Sequence, residues 1–219
     1  MCIRDRLPVY PLFCLFGAVV SIELLKYMHK KIKPLSLFFV LQTALVILLL
    51  IWPLSFVHTY TRNNPRTDAT TWINQYIPEG KAIAIEHWDD GLQLMGQEKY
   101  VMITLGLYEP DTTWKWDLVR NQLAQADYII LASNRLYTPL QKLTDCEHLP
   151  PTRCYKETTD YYQKLFSGEL GFVKVAEFTN YPTVPLLNIQ IDDQSADESF
   201  TVYDHPKVMI FQKKGIVSL

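Results

Sequence analysis

Leu35 to Tyr60, LSLFFVLQTALVILLLIWPLSFVHTY, runs without a single Asp, Glu, Lys or Arg. A helix needs roughly 20 such residues to cross a hydrocarbon core about 30 Å thick, so the stretch predicts a transmembrane helix. A buried helix of a soluble domain is the other reading, but Gln42, Thr43 and Ser55 are too sparse to form a polar stripe. Pro53 is tolerated near the end of a lipid-embedded helix, and Trp52, His58 and Tyr60 are side chains suited to a membrane–water interface.

Upstream, Leu7 to Leu25 (LPVYPLFCLFGAVVSIELL) is a second apolar segment with Glu23 as its one charge. It runs straight into a lysine cluster with no small-residue cleavage site, so a second transmembrane helix is preferred to a signal peptide. Cys14 within it reads as a small hydrophobe. The loop over residues 26–34 holds Lys26, Lys30, Lys31 and Lys33, whereas the region just past Tyr60 offers Arg62 and Arg66. Positive charge in short loops stays inside, which predicts a cytoplasmic loop and an extracytoplasmic chain after Tyr60. The same lysines suit anionic lipid head groups. Residues 1–6, Met-Cys-Ile-Arg-Asp-Arg, look like a non-native start, and the chain is expected to be a piece of a longer protein.

Overall composition conceals this division, because a net charge of −2 and 48% hydrophobic residues describe an ordinary globular chain. Six of the 21 Lys and Arg and two of the 23 Asp and Glu precede residue 61, which leaves 15 against 21 and a net of −6 for the remainder. An acidic domain of that balance argues against nucleic-acid binding.

Residues 61–219 suffice for one compact domain. Helices are expected over Arg66–Tyr76, Thr112–Ala124, Arg135–Leu143 and Thr158–Phe166. Strands are expected over Lys81–Glu86, Tyr100–Thr104, Asp127–Ala132, Phe172–Phe178, Leu186–Ile191 and Phe200–Phe211, the last containing an Asp204-His205-Pro206 turn. Strands separated by helices predict βαβ-type units in a mixed sheet. The fold class is two transmembrane α-helices followed by a small α/β domain.

Two polar constellations stand out. Glu86-His87-Trp88-Asp89-Asp90 follows a strand, where ligands of α/β sheets collect. Three carboxylates and an imidazole suit a cation or a sugar, with Trp88 as a stacking face. A solvated loop with Asp89 or Asp90 as a helix cap is the plainer alternative. A glycoside-hydrolase pair of Glu86 with Asp89 or Asp90 would need the carboxyls to face each other across a groove, which sequence neighbours rarely do. The second constellation, Asp192-Asp193 to Asp197-Glu198 followed by Tyr203-Asp204-His205-Pro206, lacks EF-hand spacing, and a solvated loop is favoured over a Ca²⁺ site. Asp204 and His205 join the candidate binding residues. Cys146 and Cys154, eight apart in TDCEHLPPTRCYK, suit a disulfide outside the cytoplasm; free thiols or a site shared with His148 are the alternatives. The aromatic stretches Arg135–Tyr137 and Tyr161–Phe166 read as core, or as surfaces for membrane or glycan. No GxGxxG, GxxxxGK[ST], GxSxG or HExxH occurs, so nucleotide, serine-hydrolase and zincin readings have no motif.

EHWDD after a strand, ADYIILASNRLY, YYQKLFSGELGF and ADESFTVYDHPKVMIF together resemble the C-terminal extracytoplasmic region of polytopic prokaryotic membrane glycosyltransferases of the protein-mannosyltransferase, dolichyl-phosphate-mannose type. The resemblance covers roughly residues 60–213. It implies a plasma-membrane protein transferring sugar from a polyprenyl-phosphate donor, with membrane lipid, upstream helices and a lipid-linked sugar or glycan acceptor as partners. In that family the catalytic acids lie in the first extracytoplasmic loop, which has no counterpart here. No catalytic residue or metal ligand is therefore assigned to this chain, and a divalent cation belongs to the full-length parent if to anything. A membrane-tethered, non-enzymatic binding domain is the alternative function.

Overall fold

The computed structural model describes residues 10–31, 35–89, 91–94 and 98–215. Asp90, the first six residues and Lys33 of the basic loop lie outside these. Two long apolar helices come first, α1 over Tyr10–Lys31 and α2 over Leu35–Val57. Their most apolar windows reach mean hydropathies of 1.6 and 2.5, and neither window is buried within the protein. By length and composition both suffice to cross a membrane. The helical stretch predicted to Tyr60 stops at Val57 and tightens into a 3-10 turn over His58–Thr61. There Thr59 Oγ1 and Thr61 Oγ1 donate to the carbonyls of Phe56 and His58.

A mixed α/β domain follows. Helix α3 (Pro65–Tyr76) starts where Asn64 accepts from Arg66 N and Pro65 occupies the first turn. Strands β1 (Ala82–Glu86), β2 (Val101–Leu105) and β3 (Tyr128–Leu131) are parallel, with β1 between the other two. Helix α4 (Thr113–Gln125) connects β2 to β3 and is capped by Thr112. The short α5 (Tyr137–Leu140) and α6 (Lys156–Ser167) come next, α6 ending on left-handed Gly168. Strand β4 (Phe172–Phe178) forms one edge of the sheet. The hairpin of β5 (Thr183–Val184) and β6 (Ile189–Gln190) stands apart, and α7 (Glu198–Thr201) leads into β7 (Val208–Lys213). Sheet order is β2-β1-β3-β7-β4, with β7 antiparallel to both β3 and β4.

Alternation along the central strands sends side chains into two cores. Ala84, Ile129, Leu131, Met209 and Phe211 face α4 and α6, while Ile83, Ile85, Tyr128, Ile130, Val208 and Ile210 face α3. Burial on both faces explains the unbroken apolar run of β3. Edge strand β4 carries Lys174 and Glu177 and a bulge between Lys174 and Ala176, features that discourage further strand pairing.

Three expectations need correction. Only Tyr137–Leu140 of the helix expected over Arg135–Leu143 is helical, because Pro139 and the turn at Gln141 leave it a single turn. Between β1 and β2, where none of the expected helices falls, the described residues hold a 3-10 turn at Leu92–Leu94. The strand expected over Leu186–Ile191 shrinks to β6. The one expected over Phe200–Phe211 begins only at Val208, since Asp197 accepts from Ser199 N and turns 198–201 into a helix.

The domain is seated on the end of α2. Trp52 stacks with Phe200 at 6.3 Å between ring centroids, and Phe56 meets Phe200 and His205 at 5.4 and 5.5 Å. Tyr60 OH donates to Asp204, Asn64 Nδ2 to the carbonyls of Tyr203 and Asp204, and Asn180 Nδ2 to Thr59 O at 2.7 Å.

A candidate ligand cleft at the carboxyl ends of the parallel strands

Each parallel strand delivers one exposed or half-exposed polar or aromatic side chain just past its carboxyl end: Trp88 after β1, Tyr108 after β2 and Arg135 after β3. They border a cleft of about 460 Å³, whose floor is Leu136, Pro139, Leu140 and Leu143 and whose far wall is Glu198 of α7. Trp88 has a left-handed backbone (φ 72), unfavourable for a residue with a Cβ, and its ring is 62% exposed. Arg135 holds that turn in place by donating from Nη1 to Trp88 O at 2.9 Å. The second guanidinium nitrogen donates to Tyr203 OH at 2.8 Å, with the cation lying over the Tyr203 ring. Trp88 and Tyr108 sit 6.2 Å apart at a tilt of 58°, and Tyr155 steadies Tyr108 by ring stacking and a bond from its hydroxyl to Tyr108 O.

Of the EHWDD carboxylates, the two described ones, Glu86 and Asp89, point elsewhere. Glu86 is 3% exposed and accepts from Tyr162 OH. Burial, above all, lifts its carboxyl to about 8; the Tyr162 bond pulls the other way, and the Asp89 carboxylate adds to the rise. Burial likewise pushes the Tyr161 and Tyr162 hydroxyls well up, so Glu86 sits in a neutral, aromatic pocket beneath the sheet end. The Asp89 side chain is 2% exposed, pairs with Arg66 Nη2 at 3.4 Å and accepts from Ser133 Oγ at 2.7 Å. It therefore fastens α3 to the turn after β3. His87 packs edge-on to Trp88. Two inward carboxylates with separate partners do not form the acid and nucleophile of a glycosidase.

Asp204 and His205 lie at the junction with α2. His205 is 1% exposed, with Nε2 2.8 Å from Asp193 Oδ2. The other acids of that loop act locally: Asp192 accepts from Gln194 N and Asp197 caps α7, so they do not converge on a cation. Among the described residues no three His, Cys, Asp or Glu side chains gather as a metal-ligand set. Cys146 and Cys154 are joined in a disulfide with Cα atoms 5.3 Å apart.

Sequence reasoning singled out Trp88 and read the Arg135–Tyr137 stretch as core or as a membrane or glycan surface, but did not name Arg135 as a binding residue and missed Tyr108. The available signal was their place two to four residues beyond a parallel strand, where the loops of such a sheet converge. No family model, curated protein or solved structure matches the chain.

Proposed function

We propose that this chain is the membrane-embedded and outward-facing part of an integral membrane glycosyltransferase that uses a polyprenyl-phosphate-linked sugar, and that its α/β domain binds sugar without performing the transfer chemistry. Helices α1 and α2 cross the membrane with the lysine loop inside, and the domain sits on the outer surface. The observation carrying this reading is the position of the cleft. Trp88 and Tyr108 offer apolar ring faces of the kind that pack on a pyranose, Arg135 offers charge beside them, and the α7 wall that closes the cleft also stacks on Trp52 of α2. A sugar tethered to the bilayer through its lipid arrives at that height.

The test uses the full chain in lipid nanodiscs with a polyprenyl-phosphate hexose as ligand and polyprenyl phosphate as control. Trp88→Ala and Tyr108→Ala should each weaken hexose-lipid binding about 2- to 10-fold, the equivalent of ~0.5–1.5 kcal/mol per aromatic contact, with the control lipid unaffected. Equal binding of both lipids, or indifference to the double substitution, refutes the reading. A tethered, non-enzymatic binding module is the second reading, favoured by the inward-facing carboxylates Glu86 and Asp89. It predicts the same aromatic-dependent binding with a free glycan as the better ligand.

A further inference from the structure

The chain from Thr179 to Ile191, TNYPTVPLLNIQI, contains no charged residue and folds as the β5–β6 hairpin. Its tip presents Leu186 with no measurable burial, Leu187 at 68% and Ile189 at 55% exposure. Strand β4 (FVKVAEF) interrupts its apolar residues with Lys174 and Glu177; here three large apolar groups stand together in the open with no charge among them. Leu186 (φ 68) and Asn188 (φ 55) are left-handed, a conformation that Gly and Asn take cheaply and that costs Leu about 1 kcal/mol. A leucine held there against its preference, and turned outward, calls for an environment that rewards it.

Its location supplies one. Strand β5 packs against α2 and against the 3-10 turn that follows it, Ser55 of α2 is fully buried, and Asn180 ties the start of the hairpin to Thr59 and Asn63. Counting roughly 20 residues from Leu35 for a hydrocarbon core of about 30 Å places its outer boundary near Leu54. The hairpin therefore leaves the domain at the height where the apolar surface of α2 ends. We propose that the tip at Leu186, Leu187 and Ile189 inserts into the outer leaflet beside α2, a second, non-helical membrane contact that fixes the tilt of the cleft over the bilayer. This rests on the reading that α2 spans the membrane. The first charge after the tip, the exposed Asp192, follows Ile191 directly and marks where the chain returns to water.

The experiment places a single environment-sensitive fluorophore on the full chain, in a Cys2→Ser/Cys14→Ser background, at Leu187→Cys, at Leu48→Cys within α2, or at Asn121→Cys on the exposed face of α4. The protein is reconstituted in phosphatidylcholine vesicles carrying doxyl-labelled acyl chains, with iodide as the aqueous quencher. Expected is a loss of fluorescence to doxyl lipid at 187 comparable with that at 48, while 121 responds to iodide alone. Quenching of 187 by iodide, with 48 still quenched by lipid, overturns the inference while leaving the spanning helix intact. Failure of lipid to quench 48 removes the spanning reading and the inference with it. Shielding of 187 from both quenchers overturns it too, by assigning the tip to a protein neighbour such as a second copy.

Discussion

Replacing Glu86 with Gln should stabilise the protein at neutral pH and flatten part of its pH dependence. The carboxyl titrates at about 8 in the fold, against roughly 4.3 in an unfolded chain, and each unit is worth about 1.4 kcal/mol. Because the folded value is the higher one, this group's contribution is fully present below pH ~4, is lost progressively as pH rises, and levels off above about 8. Near pH 7 the loss amounts to roughly 4 kcal/mol, and near pH 5 to about 1 kcal/mol. A Gln keeps the acceptor for Tyr162 OH at 2.5 Å and needs no proton. Its amide must occupy the position of Oε2, which has no hydrogen-bond partner among the described residues, an expense of about 1–2 kcal/mol. The net gain is then roughly 2–3 kcal/mol at pH 7, or about 5–10 °C in Tm for a chain of this size, shrinking to nothing or reversing at pH 5. Thermal unfolding of both proteins in the same detergent, followed by near-ultraviolet circular dichroism at pH 5, 6, 7 and 8, gives the difference directly; groups common to both cancel. A Glu86→Gln protein less stable than the parent at pH 7, with a gap that does not change toward pH 5, would show that Glu86 is an ionised, paired carboxylate and refute the reasoning.

Lys115→Met should cost about 3–5 kcal/mol, since Lys115 is 2% exposed and its Nζ lies within hydrogen-bonding distance of Asp111 Oδ1 (2.9 Å), Thr158 Oγ1 (2.7 Å) and the carbonyls of Leu107 and Glu109, so removal leaves the nearly buried Asp111 carboxylate without its cation. Burial works to raise the Asp111 carboxyl, but bonds from Thr158 and Lys115 outweigh it and hold it below the usual range; urea titrations should therefore show the Lys115→Met deficit narrowing as pH falls through and below about 4. Reducing the Cys146–Cys154 bridge, or Cys146→Ser with Cys154→Ser, should lower stability by about 2–3 kcal/mol for so short a loop; urea titrations with and without reductant check this, and an unchanged midpoint would contradict it.

How much of this was legible beforehand varies with the range of the interaction. The two apolar helices announce themselves in Leu35–Tyr60 and Leu7–Leu25, because near-absence of charge over a bilayer's length is a property of consecutive residues. β1, β3 and β4 show equally well, for an apolar run bounded by polar turns needs no partner to be recognised. The expected bounds Arg66 and Phe166 fall within one residue of the ends that Asn64 and Gly168 cap in α3 and α6.

Long-range pairing was the part that the chain does not display. Nothing in EHWDD indicates that Glu86 would turn inward to Tyr162, 76 positions away, or that Asp89 would be taken by Arg66 and Ser133, while Trp88 faces the cleft. Tyr108 and Arg135 become its neighbours only because β1 lies between β2 and β3. His205 read as an exposed turn residue beside a proline, yet it is buried against Phe56 and Asp193 because α7 packs on the end of α2. Sequence therefore determined which segments are apolar, helical or extended, since those follow from periodicity and local backbone preference. Which polar side chains meet water and which meet each other was decided by the tertiary structure, because burial and pairing depend on strand order and on surfaces brought together from distant parts of the chain.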